Sequence, residues 1–346
     1  MGVALADLRS IVSTTWQQAE KTIHDQVFSG SPLWERLKAR KNIVPYTGGT
    51  MISEIVGVDR NPTINIRRGK AVTPLQEYDP LRTVGWNHAW VDGSITIYDE
   101  DRYVNRGPAE IRDFADAIIQ NTEDSFQEGF EQLSWGDGTL DLDGNPLPAN
   151  TPPFLGLQAM IDDNNTYAFL QDADGGFTAI NRALAANSWW RSYVDDAAVA
   201  WDVDGANGLR HTYNSCTRGY GREKPDLIMC TQDIWETYAS LLVPQQRFED
   251  EKLAAAGFRN LMFDEAAVVW DLLCPGNTGV DGATYLLNTK WIKLRPHAVC
   301  AGGWQKGKWA RLDASGIKAE AQLLVWLGQL TCRNPRFQGR MLNRTV

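Results

Sequence analysis

Histidine is scarce, with four in 346 residues. None of His24, His88, His211 and His297 belongs to an H-E-x-x-H or an i, i+4 pair, so the local signature of a helical metal site is missing. Cysteines stand at 216, 230, 274, 300 and 332, an odd number with no C-x-x-C among them. Neither a disulfide framework nor a zinc clip is indicated, and a reducing compartment fits. No run reaches the roughly 18 apolar residues of a membrane span. The start, MGVALADLRSIVSTTWQQ, lacks the basic segment followed by an apolar one that marks a secretory signal, and Ala6 stands where a myristoylation motif needs Ser or Thr. Basic charge is short as well: 34 Lys and Arg against 43 Asp and Glu leave a net charge of -9, which argues against a protein whose task is to grip a polyanion. No G-x-S-x-G elbow or cysteine-nucleophile context occurs. Carboxylate chemistry leaves no local mark, so an enzyme stays open.

With 43% hydrophobic and 22% charged residues, the composition is ordinary for a globular chain that buries a core, and the length suits about two domains. Residues 3 to 40 read as interrupted helix, with Leu5, Leu8, Ile11, Val12 and Trp16 at helical spacing, a break at Ser29 to Pro32, and Leu33 and Leu37 beyond. From Gly48 the pattern becomes strand-like: Met51 to Val56, Thr63 to Ile66, then Val84 to Val91 and Ser94 to Tyr98. This predicts a long hairpin with Val84, Trp86, His88 and Trp90 on one face and a basic, proline-containing tip at 67–80. An isolated hairpin is marginal in water, so another surface must cover it, and a neighbouring copy is one candidate.

Pro108 followed by Ile111, Phe114, Ile118, Thr122, Phe126, Phe130 and Leu133 predicts one long amphipathic helix. Its other face is an acidic stripe that includes Glu123, Asp124, Glu128 and Glu131 and reads as solvated. Beyond Phe154 come helix patterns near 205–217, 233–243 and 248–256. Apolar strand-like runs lie at 226–230, 266–271, 284–288 and 291–294, and a final apolar strand at 321–332 precedes a basic tail, Arg333 to Arg344.

Two stretches imitate ligand loops. From Gly302 the chain spells G-x-x-x-x-G-K, but Trp309 replaces the metal-binding hydroxyl and no apolar helix follows. It is read instead as a Gly-rich turn. Thr139 to Asn150 imitates a calcium loop through Asp141, Asp143 and Gly144, but position twelve is Asn150 where a bidentate Glu belongs, and a turn is the better account. No cofactor is indicated. Fourteen tryptophans are spread through every segment, which suits packing and subunit contacts better than a single groove.

The order of helical arm, long hairpin, long helix, mixed compact region and final apolar strand resembles the Hong Kong 97-fold major capsid proteins of tailed bacteriophages. The resemblance is carried by Gly48-Gly49, Asn105-Arg-Gly107, Phe154-Leu-Gly-Leu157, Asn181-Arg182 to Trp189-Trp-Arg191, Pro225-Asp-Leu-Ile228, Leu242 to Arg247, Gly257-Phe-Arg-Asn-Leu261, Val269-Trp-Asp271 and Leu287-Asn-Thr289, in that order along the chain. It implies an α+β fold with an N-terminal arm (1–48), an extended loop (49–104), a peripheral domain with a spine helix (105–162), an axial domain (163–300) and a return to the peripheral domain (301–346).

The function so implied is structural. Copies form hexamers and pentamers of an icosahedral head, assembled in the host cytoplasm, that encloses double-stranded DNA without sequence-specific binding. Partners would be the chain itself, a portal, decoration proteins and a separate scaffolding protein, the last because the arm begins almost at Met1. Inter-subunit contact candidates are Arg67, Arg68, Lys70, Trp86, Trp90, Trp304, Lys306, Lys308 and Trp309. Some family members join a loop-tip lysine to a neighbour's asparagine. Lys70 stands at that place, with non-covalent contact the simpler reading. An α/β enzyme using carboxylates at 163–300 and a Trp-rich glycan-binding module are the alternatives.

Overall fold

The expected hairpin forms at its base. The computed structural model describes residues 31–344 apart from 59–60, 62, 65, 67–68, 70–76, 101–109, 150, 173, 220–222, 243–260, 277–281, 301–302 and 314–315. Strand β1 (Ile52–Gly57) pairs antiparallel with β2 (Leu81–Trp86). Alternation along β1 buries Ile52 and Glu54 and exposes Ser53 and Ile55, as a one-sided strand requires. The strand expected at Thr63 to Ile66 is not formed by the residues described there. Asn61 Oδ1 instead accepts hydrogen bonds from the Thr63 amide at 2.9 Å and its hydroxyl at 2.7 Å, a side-chain turn that competes with strand pairing. The tip residues Arg67, Arg68 and Lys70, the arm before Ser31 and the helix pattern at 248–256 lie outside the described residues.

The returning arm of the hairpin, predicted as one face from Val84 to Trp90, is a correction. β2 stops at Trp86, and after Asn87 and His88 the chain resumes as β3 (Ala89–Tyr98), which pairs with β14 (Ala319–Cys332) and not with the hairpin. The joint breaks the two-residue period, so Val84 and Trp86 are buried while Trp90 is exposed. The hairpin itself is extended by β4 (Phe169–Gln171) and β5 (Phe177–Ala179), in the order β1-β2-β4-β5.

β14 is the centre of a five-stranded sheet. β3 lies along one edge, and β11 (Ile292–Pro296), β12 (Gln305–Lys306) and β13 (Ala310–Arg311) follow one another along the other. The long helix, Glu110–Trp135, lies on one face of this sheet. Phe130 meets Trp326 at 4.8 Å between ring centroids, and Phe126 meets Trp304 at 4.1 Å. Gly93 of β3 is what allows the approach, because a Cβ there would stand 2.2 Å from Phe126 Cε2. The helix Pro32–Ala39 covers the far end of this core with Leu33, Trp34 and Leu37, all buried.

A second, six-stranded sheet runs β6 (Tyr193–Asp195), β15 (Gly339–Arg344), β10 (Gly282–Leu287), β7 (Leu227–Cys230), β9 (Ala266–Trp270) and β8 (Leu261–Phe263). β7 and β10 are buried along their whole length, which explains why they read as continuous apolar runs. Helices Ala206–Cys216 and Gln232–Leu241 pack Leu209, Tyr213, Ile234 and Tyr238 against this sheet. The segment expected as a basic tail is strand β15. Met341 is its buried anchor, and its arginines point to carboxylates: Arg340 Nη2 to Asp162 Oδ1 at 3.1 Å and Arg344 Nη2 to Asp195 Oδ2 at 2.7 Å. Pairing is what lets arginine enter a sheet interior.

Strand pairing therefore cuts across the boundaries drawn from the sequence. β3 falls within 49–104 yet shares a sheet with β14, and β15 falls within 301–346 yet shares one with β7 and β10. The two sheets are joined by a single apolar core that contains Trp135, Tyr285, Leu287, Leu294, Trp326 and Leu330.

Candidate assembly interface

The β3–β14 pair has two unlike faces. Toward the long helix, Ala89, Ile95, Leu324 and Trp326 are buried. On the other face, Trp90 is 64% exposed, Leu323 54% and Tyr98 47%. Cross-strand register sets Trp90 opposite Leu327 and Ser94 opposite Leu323, so half-buried Val325 and Leu327 continue the same apolar strip. Single exposed apolar residues are normal on any protein, whereas the contiguous run of Trp90, Leu327, Val325 and Leu323, with Asp92, Ser94 and Thr96 beside it on β3, has the make-up of a contact surface. The hairpin adds a second strip, with Ile55 and Leu81 exposed on the side away from the core.

The sequence-predicted contact residues divide on this geometry. Trp90 lies at one end of the exposed strip, opposite Leu327. Trp86 is 0% exposed and packs on Tyr167 and Trp190 within the chain's own core, which removes it from any surface. Trp304 is half-buried against Phe126, Phe130 and Trp326, so its first role is to seat the long helix. Lys306 and Trp309 are half-buried and Lys308 is exposed. The Gly302 stretch thus becomes β12 and β13, laid against β14 with the Gly307 amide donating to Leu323 O at 2.8 Å, and among the described residues no α-helix follows it.

Leu323 and Tyr98 were not singled out in the sequence. β14 is apolar at consecutive positions, Leu323-Leu-Val-Trp-Leu327, and such a run does not announce which alternate set faces outward.

One carboxylate fixes the hairpin over the five-stranded sheet. Glu54, 4% exposed, accepts from Arg295 Nη1 at 2.8 Å and from Arg333 Nε at 2.5 Å, with Lys293 Nζ at 4.0 Å. Burial pushes the Lys293 ammonium below its ordinary pKa, Glu54 opposes that, and Arg333 and Arg295 reinforce it. A second acidic hub, Asp226, ties helix Pro32–Ala39 to the six-stranded sheet. Its carboxylate receives Arg36 Nε at 3.1 Å, Arg40 Nη2 at 3.0 Å and the Thr289 amide at 2.6 Å. Arg182, fully buried, donates to the Met160 and Asp162 carbonyls at 2.9 and 2.6 Å and lies over the Tyr167 ring. Desolvation lowers its pKa to about 10. The Glu54 and Asp226 hubs are structural, since each carboxylate is paired with cations inside the chain.

The imitation calcium loop is a tight turn. Asp141 Oδ1 accepts from the Asp143 and Asn145 amides at 3.0 and 2.8 Å, and among the described residues no cluster of His, Cys, Asp or Glu has metal-ligand geometry. A half-open cleft of about 610 Å³ between this turn and β10 is lined by Gln158, Asp162, Tyr285 and Arg340, with Asp162 and Arg340 paired to each other. Among the described residues no helix is long and apolar enough to cross a membrane.

A chain of the cyanophage A-1(L) capsid asymmetric unit matches this structure with a TM-score of 0.62 over 93% of this chain and 95% of its own, at 13% identity. A chain of Mycobacterium phage Bobi matches with a TM-score of 0.52 over 98% and 96%, at 10% identity. A chain of the satellite phage P4 procapsid that includes the size determination (Sid) protein matches with 0.51 over 98% and 93%, at 11% identity. The likeness is one of fold, spanning both chains almost end to end. No family model matches the sequence, and no curated protein sequence does.

Proposed function

We propose that this chain, which has the Hong Kong 97-type fold of tailed-phage capsid subunits, is a major capsid protein. Its copies would join as hexamers and pentamers of an icosahedral shell enclosing double-stranded DNA in the virion, with assembly in the host cytoplasm. The observation that carries this reading is end-to-end correspondence, 93% of this chain on 95% of a capsid chain. A small shared motif grafted onto another architecture would not extend so far. The exposed strip around Trp90, Leu323 and Tyr98 supports it, because a neighbouring copy would supply the cover that the described residues do not. The net charge of -9 suits a container that holds DNA without gripping it in register.

On this reading, 1–48 is an arm, 49–104 an extended loop, 105–162 a peripheral domain, 163–300 an axial domain and 301–346 the return to the peripheral domain. Arg67, Arg68, Lys70, Trp90, Lys306, Lys308 and Trp309 are the subunit-contact candidates, and Trp304 contributes through the helix it seats. A separate scaffolding protein, a portal and decoration proteins are the expected partners. The P4 procapsid structure, which includes a size-determination protein, supports accessory partners in general.

Electron microscopy and light scattering of the purified chain, alone and coexpressed with its neighbouring genes, test the proposal. Capsomers or shells are expected, and a monomer under every condition overturns it. For Lys70, a denaturing gel of mature particles that shows only monomer rules out a covalent cross-link.

A further inference from the structure

The Glu54 carboxylate is fully paired, but the cations gathered around it are not. Its Oε1 accepts from Arg295 Nη1 at 2.8 Å and its Oε2 from Arg333 Nε at 2.5 Å, while Lys293 Nζ stands 4.0 Å from Oε1, beyond hydrogen-bond reach. Three positive charges thus meet one negative charge. Arg295 Nε is buried without a hydrogen-bond partner, and among the described residues no second carboxylate pairs with any of the three. Strand alternation explains the convergence: Ile292, Leu294 and Pro296 of β11 are buried, so Lys293 and Arg295 stand on the opposite face. Arg333 follows the end of β14, where Cys332 pairs with Ile292. Its side chain is 39% exposed, so the cluster opens to solvent on that side.

In the isolated chain this excess of positive charge is unfavourable. Like charges at such separations repel, and partial burial removes water that would screen them. The depressed Lys293 ammonium, lowered first by burial and then, against the pull of Glu54, by Arg333 and Arg295, registers the same cost. The opposite excess lies elsewhere on the chain. Asp124 and Glu128 are exposed on the long helix, and among the described residues neither has an ion-pair partner. Four residues apart, they share one helix face and repel each other.

We propose that Lys293, Arg295 and Arg333 form a seat for a carboxylate of a second copy of this chain, supplied by Asp124 or Glu128 of its long helix. One copy then provides the anion that the other lacks, and both excesses are relieved in a single contact. A lone side-chain carboxylate suits a small, half-covered group of donors. A DNA backbone, with phosphates spaced along it, calls for a row of exposed cations. The seat rests on the assembly reading, of which it names one contact.

The test uses nucleic-acid-free full-length chain, with assembly followed by light scattering and sedimentation. Lys293→Glu should raise the concentration needed for assembly about tenfold or more. The thermal midpoint of the unassembled chain should stay level, because the cluster then holds two charges of each sign and Glu54 keeps both arginines. Adding Glu128→Lys and Asp124→Lys to that variant should recover part of the lost assembly. Should Lys293→Glu not fold, Lys293→Gln carries the same test with a smaller effect.

A Lys293 variant that assembles at the wild-type concentration overturns the seat, and so does a loss that reversing the helix charges fails to lessen. Fluorescence anisotropy with a duplex of about 20 base pairs checks the other occupant: binding to the wild-type chain that disappears in Lys293→Gln assigns the cluster to DNA and refutes the proposal. A wild-type chain that stays monomeric under every condition defeats the assembly reading and the seat together. One that assembles beside an unaffected variant defeats the seat alone.

Discussion

Arg295 Nη1 donates to Glu54 Oε1 at 2.8 Å, joining a hairpin strand to a sheet strand 241 residues further along the chain. Because Glu54 also receives Arg333 and faces Lys293, it is, among the described residues, the anion that holds three cations together. Glu54→Gln leaves those cations repelling one another beneath the hairpin. We expect a loss of about 3 kcal/mol, at the lower end for a broken buried pair because Arg333 is partly solvated. Urea unfolding of the variant at low and high salt measures it, and salt should recover part of the loss.

Trp90 and Trp86 lie four residues apart and should behave oppositely. Trp90→Ala, on an exposed strip, should leave the thermal midpoint of the unassembled chain nearly unchanged while abolishing or weakening assembly seen by light scattering. Trp86→Ala empties a site enclosed by Tyr167 and Trp190 and should cost about 4 kcal/mol of stability before assembly is reached. A Trp90 variant that assembles normally would remove this face from the proposed interface.

Gly93→Ala should destabilise by about 1–3 kcal/mol, since the new methyl meets a Phe126 ring already packed at a tilt against Trp304. The double variant with Phe126→Leu should recover part of that loss. Thermal melts of the single and double variants form the cycle, and simple additivity would contradict the contact.

All five cysteines are buried and free. Desolvation raises the Cys216 and Cys332 thiols to about 12, far above the pH at which thiolates react. A thiol reagent at pH 8 should therefore modify the native chain slowly, at a rate that follows unfolding, and label it rapidly in denaturant.

Much of the architecture was legible in local pattern. Phe126, Phe130 and Leu133 recur at helical spacing because one face of the long helix meets a sheet. The apolar runs at 226–230, 266–271 and 284–288 became β7, β9 and β10 because strands covered on both faces carry no polar alternation. The failed imitation of a phosphate loop was equally legible, since Trp309 and the missing helix are local features.

The contact surface was legible only in part. Trp90 was singled out as an aromatic on a strand, but Trp86 was placed beside it because two-residue periodicity was carried through Asn87 and His88, where the chain changes sheets. Such a change of partner leaves no local trace: it depends on β14, more than two hundred residues away, having an edge to fill. Arg340 and Arg344 read as part of a basic tail for the same reason, because Asp162 and Asp195 that neutralise them are distant in sequence.

The sequence by itself determined the long helix and the buried strands β7, β9 and β10, the absence of a local metal, nucleophile or phosphate signature, and the broad order of elements that resembles a capsid subunit. Tertiary structure alone decided which face of each strand is outside and which charges meet. The division is physical: periodicity and turn chemistry act over a few residues, whereas burial and charge pairing are set by whatever the fold brings alongside.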